Sequence, residues 1–275
     1  MNTGANSKLL QALSMGNRPD RPSALQAVRT FTWRSMRSTV NQLPYLAIDV
    51  VIFPVIFLLI FTFMFGGAIS GSTGNYLQFL LPGMLVYTVT TMTVYIGITI
   101  KTDMERGVFN RFRTLPFWQP AAIIGSMLTN LLSYAAALAT TIAIGLLLGF
   151  RPEAGWLGSL LAMLFVMLYA FSVSWIFACI GIVARKTESI TSMTYIVLYP
   201  LMFTSNVFAD TSTMPEWLGR IVAYNPISLA SAAARGLMHG AASFQDLFAA
   251  LAGMLLIGVV FAPLAFHLYR RKTAQ

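Results

Sequence analysis

Six stretches of this sequence, at 48–65, 79–100, 121–150, 156–184, 190–208 and 248–268, are long and apolar, and the segments joining them carry very unequal positive charge. Each run is about as long as the ~20 residues an α-helix needs to cross a hydrocarbon layer. Counting alternate joining segments separates the 18 Lys and Arg residues sharply. Six precede residue 48, four lie in 101–118, two are Arg185 and Lys186, and three follow residue 268. The opposite set holds only Arg151, Arg220 and Arg235. Basic residues collect on the cytoplasmic side of membrane proteins, while acidic ones contribute little to orientation. The pattern predicts an all-α integral membrane protein of six transmembrane helices with both termini in the cytoplasm.

Composition agrees with lipid as the solvent. The chain is 57% hydrophobic and only 10% charged, with a mean hydropathy of +0.71. A net charge of +9 would suit nucleic acid in a soluble chain. Here the basic residues flank apolar spans, so anionic lipid headgroups are the expected partners and no nucleic acid is expected. Residues 1–22 are polar and lack the apolar core of a cleavable signal, so the first span should act as its own insertion signal. The lone Cys179 lies inside the fourth run and excludes an intrachain disulfide or paired-thiol metal site. No Asn-x-Ser/Thr acceptor occurs, in keeping with a bacterial inner membrane.

Three regions follow along the chain. Residues 1–22, rich in Asn, Ser, Gly, Arg and Pro, read as a flexible cytoplasmic tail. Residues 23–46 read as an interfacial amphipathic helix. Ser23 and Gln26 have capping-box spacing, Leu25, Val28, Thr32, Trp33, Met36, Val40 and Leu43 share an apolar arc, and Arg34 and Arg37 lie opposite. Residues 47–275 form the six-helix transmembrane domain, with an inner loop at 101–118 and an external segment at 206–246. That external segment is too apolar for an ordinary loop. Pro215 and Pro226 each mark the start of a short helix, about 215–223 and 226–238, with Glu216 in a first turn where negative charge is favoured. Arg235 interrupts it, and an Arg at mid-bilayer costs about 2.5–3.5 kcal/mol. The segment is therefore expected to be a re-entrant hairpin in the outer leaflet rather than a seventh crossing.

Absences narrow the function. No glycine is followed by lysine, so there is no phosphate-binding loop of the Walker type, and no HExxH or CxxC is present. His239 and His267 fall on opposite sides of the membrane, and no catalytic or metal site is expected. The span interiors lack ionisable groups, and Asp49, at the start of the first run, suits a helix N-terminus better than an ion path. An ion-driven transporter would show buried acids or an internal repeat. If the protein transports anything, its energy comes from another chain. Uncharged polar residues do occur within the spans, and most should be interhelical partners. Thr91, Tyr95, Asn130, Tyr134 and Tyr195 are the candidates for lining a substrate path. Gly145 and Gly149 form a weak GxxxG pair.

The inner loop KTDMERGVFNRFRTLPFW at 101–118 is the most specific segment. Met104, Val108, Phe112 and Leu115 form one stripe of a short helix that Pro116 stops. Its aromatic and Arg residues suit a protein-docking surface, and the stripe alone would fit a lipid-facing connector as well.

Glu105-Arg106-Gly107 followed by Arg111-Phe112-Arg113-Thr114-Leu115-Pro116 resembles the inner loop of type-2 ABC exporter permeases, nearest the daunorubicin-resistance branch that exports drugs and lipids. Phe65-Gly66-Gly67-Ala68-Ile69, Phe79-Leu80-Leu81-Pro82-Gly83, Met214-Pro215-Glu216-Trp217-Leu218 and Asn225-Pro226 resemble further parts of that family, in order along nearly the whole chain. Asn110 stands where the family resemblance leads us to expect an acid, and Phe117-Trp118 is bulkier than expected. The resemblance implies a half-transporter that pairs with a second permease copy or homologue, above separate ABC ATPase subunits that hold ATP and Mg. No cofactor would bind this chain. Glu105, Arg106, Gly107, Phe109, Arg111, Phe112 and Arg113 would form the ATPase-coupling helix, and the 23–46 helix would match the family's connecting helix. The implied cargo is a hydrophobic or amphipathic drug or lipid. A polysaccharide or teichoic-acid exporter permease, a membrane-embedded lipid-modifying enzyme and a purely structural membrane protein remain open alternatives.

Overall fold

The computed structural model describes residues 23–40, 48–105 and 121–274, and every regular element among them is helical. The expected tail 1–22, the end of the interfacial segment and residues 106–118 of the inner loop lie outside the described residues.

Helix α1 (Ala24–Val40) begins at the expected reciprocal cap. The Gln26 amide donates to Ser23 Oγ at 3.3 Å and the Ser23 amide to Gln26 Oε1 at 3.0 Å. Its packed face differs from the expected arc. Ala27 and Phe31 are buried, whereas Leu25, Trp33 and Met36 are exposed. The reason is backbone approach to α6 (Ala121–Leu147). A Cβ on Gly125 would lie 2.7 Å from Phe31 Cβ, and Thr129 Oγ1 donates to the Thr32 carbonyl at 3.1 Å. A small residue thus selects the contact, not the largest side chains.

The first apolar run forms a rod of mixed pitch. A π-helical turn at Ile48–Ile52 leads into α2 (Phe53–Ile60), then a second π turn at Phe61–Phe65 and α3 (Gly66–Ser70). Pro54 lacks the N–H that would close a regular turn on Val50, and the turn before it is the wide one. Gly71 ends the rod at a φ of 69°, and Ser72 caps α4 (Thr73–Met92) by accepting from the Asn75 amide at 3.1 Å. After the single residue Thr93, α5 (Val94–Glu105) follows. The remaining long helices are α6, α7 (Gly155–Val183), α8 (Thr187–Phe203) and α11 (Phe244–Ala274).

Among the described residues, five helical stretches are long and apolar enough to cross a membrane: Phe53–Ser70, Thr73–Glu105, Ile123–Leu147, Gly155–Val183 and Phe244–Lys272. The fifth apolar run, expected to be helical over 190–208, forms only the 17 residues of α8. At 1.5 Å per residue it measures about 26 Å, against roughly 30 Å of hydrocarbon. It stops at Phe203 because its last carbonyls are taken by another element. Buried Asn225 donates through Nδ2 to the Leu201 carbonyl at 2.7 Å and the Thr204 carbonyl at 2.9 Å.

Helix α4 is the axis of the bundle, with Leu77, Leu80, Leu81, Met84 and Leu85 buried among α6, α7 and the external segment. A second cluster at the other end joins Ala27, Phe31, Ile100, Trp175 and Tyr269 from α1, α5, α7 and α11. Helices α5 and α7 cross where glycine faces glycine, Gly97 against Gly181. The weak GxxxG pair plays no such part. Gly145 meets side chains rather than backbone, the flexible end of Leu81 and Phe150 Cβ at 3.6 Å, and Gly149 lies beyond α6 with a φ of 103°.

The segment expected to be external, 206–246, contains the two short helices expected, α9 (Glu216–Ala223) and α10 (Pro226–His239), and Asn225 Oδ1 caps α10 by accepting from the Ile227 amide at 2.9 Å. Pro82 lies inside α4 and leaves the Gln78 carbonyl without its helical donor. His239 Nε2 sits 3.0 Å from that oxygen, and since a carbonyl only accepts, Nε2 carries the hydrogen. The proline that breaks the α4 ladder therefore creates the place where α10 docks.

Candidate functional site

A cavity of about 370 Å³ lies between the first rod, α4–α5 and α8. Phe53 and Phe57 contribute from α2, Tyr87, Thr91, Val94, Tyr95 and Ile98 from α4 and α5, and Thr191, Tyr195 and Tyr199 from α8. Helical spacing explains the set. Tyr87, Thr91 and Tyr95 recur every four residues along one continuous face, as do Thr191, Tyr195 and Tyr199. Drug-sized ligands occupy pockets of roughly 300–1,000 Å³, walled by apolar and aromatic side chains with a few polar groups. This one falls in that range, and none of its ten walls is an acid, an amine or a guanidine.

The walls are ordered by ring contacts. Tyr195 and Tyr199 stack at 4.8 Å with 12° between their planes, and Phe57 leans on Tyr87 at 5.5 Å. From Phe57 a ladder continues away from the cavity to Phe61 at 6.0 Å and on to Phe65 at 5.4 Å. Phe208 joins it from the external segment, 4.5 Å from Phe61 and 5.6 Å from Tyr87. Offset and edge-on rings prefer such separations.

Beyond the ladder, residues 206–239 pack on α4. Arg235 on α10 donates from Nε to the Phe79 carbonyl at 3.1 Å and from a terminal nitrogen to the Asn206 carbonyl at 3.2 Å. Its guanidinium carbon stands 3.8 Å from the centre of the Phe79 ring, a cation–π contact. Asp210 nearby is exposed. A hydrogen bond from the Ser212 amide holds its carboxyl below the usual value, and the charge of Arg235 acts in the same direction. Tyr76 donates to the Phe208 carbonyl at 2.9 Å, and a Cβ on Gly83 would lie 3.0 Å from the Val207 carbonyl oxygen.

At the opposite end, the root of the inner loop is tied to two other helices, α1 and α8. Arg34 of α1 bonds Asp103 of α5 at 2.7 Å, Lys101 reaches Glu105 at 3.7 Å, and Thr187 Oγ1 of α8 donates to Glu105 Oε2 at 2.8 Å. Lys272 of α11 donates to the Val183 and Ala184 carbonyls at 3.1 and 3.3 Å, covering the end of α7. Glu105 is the last residue described before the loop. Arg106, Gly107, Phe109, Arg111, Phe112 and Arg113 lie outside the described residues.

Of the candidates for a substrate path, Thr91, Tyr95 and Tyr195 meet in the cavity. Asn130 and Tyr134 do not line it. Asn130 donates to the Ser126 carbonyl on its own helix at 2.9 Å, and Tyr134 is buried with its hydroxyl 3.5 Å from Ser174 Oγ. Sequence reasoning passed over Phe53, Phe57, Tyr87 and Tyr199, although the four-residue spacing of Tyr87 to Thr91 and of Tyr195 to Tyr199 carried the signal.

A multi-pass helical bundle with an uncharged, aromatic, drug-sized cavity has the features of a membrane permease. Residues 26–239 match the family described as ABC-2 type transporter, and the chain belongs to that family. It is thus a membrane permease component of an ABC transporter, which works with ABC ATPase subunits. Over 273 residues, 99% of this chain and 96% of the relative, it is 50% identical to the daunorubicin resistance ABC transporter permease protein DrrB1 of Streptomyces coeruleorubidus. A probable doxorubicin resistance ABC transporter permease protein, DrrC of Mycobacterium tuberculosis, is 21% identical across 92% of this chain and 94% of its own length. A putative transport permease of Porphyra purpurea, ycf38, is 28% identical across 62% of each.

Proposed function

We propose that this chain is the permease subunit of an ATP-driven exporter that moves a hydrophobic or amphipathic drug out of the cytoplasm or inner leaflet of a bacterial inner membrane. The observation that carries this reading is the cavity: aromatic, uncharged, of drug size, and walled by the same α5 that ends in the inner loop. Identity of 50% over nearly the whole chain to a daunorubicin resistance permease supports the cargo class.

In this reading the chain crosses six times, α8 completing the count with flanking residues, and both termini face the cytoplasm. The basic asymmetry of the joining segments supports that orientation. Helix α1 lies in the cytoplasmic headgroup layer, its exposed Leu25, Trp33 and Met36 turned to lipid. Helices α9 and α10 form a re-entrant hairpin in the outer leaflet. A second permease copy or homologue completes the pathway beside the largely exposed first rod. ATP and Mg stay on separate ATPase subunits, and residues 105–113 dock on them. Thr91, Tyr95 and Tyr195 line the path; Asn130 and Tyr134 belong to it only if the bundle rearranges during transport.

Closure of the ATPases on ATP displaces the loop, α5 carries the movement upward, and the cavity opens toward the aromatic ladder and the external hairpin. The test is ATP-dependent accumulation of daunorubicin in inside-out vesicles containing the chain with its co-purified ATPase. Charge reversal at Arg111 and Arg113 should abolish accumulation while leaving membrane insertion intact. Normal accumulation by both variants would refute the docking role. Recovery of the chain in mild detergent without any ATP-hydrolysing partner would refute the exporter.

A further inference from the structure

We propose that Thr187 is a positioning residue for transport, and that its hydrogen bond to Glu105 holds the inner ends of α8 and α5 together across the cytoplasmic mouth of the cavity. The inference rests on the reading of the cavity as the substrate path and of the loop after Glu105 as the ATPase handle.

Register supports it first. On α8, Thr187, Thr191, Tyr195 and Tyr199 follow at intervals of four; the last three wall the cavity, and the first makes the 2.8 Å bond. On α4–α5, Tyr87, Thr91, Tyr95, Ile98 and Glu105 keep to one helical face, and the first four wall the cavity. Two stripes that face each other across the space therefore meet at one polar contact.

The chemistry of that contact suits an element that opens and closes. Thr187 is half-buried and the Glu105 side chain is partly exposed, so water can take the place of either partner when the bond opens. Lys186, the N-cap of α8, contributes no capping side chain, and the Glu105 carboxylate stands at that positive helix end from a different helix. Lys101, one turn before Glu105, steadies the same carboxylate at 3.7 Å.

Position in the chain completes the case. Glu105 directly precedes the loop, while Gly97, two turns earlier, is fixed against Gly181 of α7. A displacement arriving from the loop meets Thr187 before it meets any wall of the cavity. Helix α8 is thereby engaged in coupling at its first residue.

The assay uses the complex with its ATPase subunits in inside-out vesicles, in a Cys179→Ala background carrying Thr191→Cys. A membrane-impermeant maleimide then reads access from the cytoplasmic face. Without nucleotide, Thr187→Val should raise the labelling rate several-fold, while Thr187→Ser should keep the parent rate. Daunorubicin moved per ATP hydrolysed should fall for Thr187→Val and recover for Thr187→Ser. Equal labelling of the parent and both variants overturns the inference, as does labelling of Thr187→Ser as fast as Thr187→Val. A parent complex that moves no daunorubicin counts against the drug reading alone, because the labelling comparison still decides the role of Thr187.

Discussion

Gly181 faces Gly97 so closely across α7 and α5 that a Cβ on Gly181 would stand 2.4 Å from the Gly97 carbonyl oxygen and 2.7 Å from its Cα. Both obstacles are backbone, which cannot rotate away as a side chain can. Small residues let membrane helices approach in this manner.

Gly181→Ala should therefore destabilise the fold although alanine is the better helix former. Overpacking costs about 1–3 kcal/mol, whereas the helical preference for Ala over Gly returns roughly 1 kcal/mol. Gly253→Ala on α11 is the control, since the nearest atom to its Cβ is Leu229 Cδ1 at 3.9 Å. Thermal unfolding in detergent should show a lowered midpoint for the first and an equal or raised one for the second.

Arg235 holds α10 to the N-terminal half of α4 through two carbonyls and the Phe79 ring. Arg235→Met should leave both oxygens short of a donor, at about 1–3 kcal/mol for each buried group. Arg235→Lys should rescue little, because a point charge cannot stack on Phe79 and reach both carbonyls as a planar fork does. Faster amide hydrogen exchange in α10, with α7 unchanged, is the expected signature.

Asn225 separates two jobs of one side chain, because its oxygen caps α10 while its nitrogen closes α8. Asn225→Asp keeps the cap and adds a charge that the helix end favours, yet sets an acceptor against two carbonyls. If the nitrogen matters more, the variant should lose about 1–3 kcal/mol despite its intact cap. A wild-type unfolding midpoint for Asn225→Asp would assign the residue to capping alone.

Local signals specified the elements, and long-range contacts specified the assembly. Ser23 and Gln26 announced the start of α1, and Asn225 with Pro226 announced α10, because caps and prolines act within one turn. The face on which α1 packs was hidden, since Gly125 lies about a hundred residues away and leaves no periodic trace. The same holds for Gly97 with Gly181, one glycine per helix, while the weak local GxxxG pair marks no glycine-to-glycine contact. In the site, Thr91, Tyr95 and Tyr195 stood out as polar residues in apolar runs. Phe53 and Phe57 did not, since a phenylalanine in a membrane span has no local mark of facing a cavity rather than lipid.

Arg34 and Asp103 join α1 to the root of the inner loop, with side chains 41% and 18% exposed. Exposed pairs contribute only about 0–1 kcal/mol, so Asp103→Asn should barely move the unfolding midpoint. Its effect should fall on coupling, with less daunorubicin moved per ATP hydrolysed. Exchanging the charges, Arg34→Asp with Asp103→Arg, should restore part of what either single reversal loses. A double variant no better than the singles would show that the pair does not act as a pair.

Tyr195 and Tyr199 present a stacked pair to a cavity whose ten walls carry no formal charge, so a substrate bound there would be held by ring faces and hydroxyls. An aromatic pair contributes about 0.5–1.5 kcal/mol beyond its buried area, which is roughly two- to twelvefold in affinity. Tyr195→Ala should therefore raise the concentration of daunorubicin that half-saturates transport by about that factor. Tyr195→Phe keeps the ring and loses the hydroxyl, so its half-saturation should stay near wild type if stacking dominates. A flat, ring-bearing substrate should be affected more than a branched aliphatic one of equal volume, because only the former can lie parallel to the pair. Equal losses of both substrates in Tyr195→Ala would mean that the residue shapes the cavity without stacking on its contents.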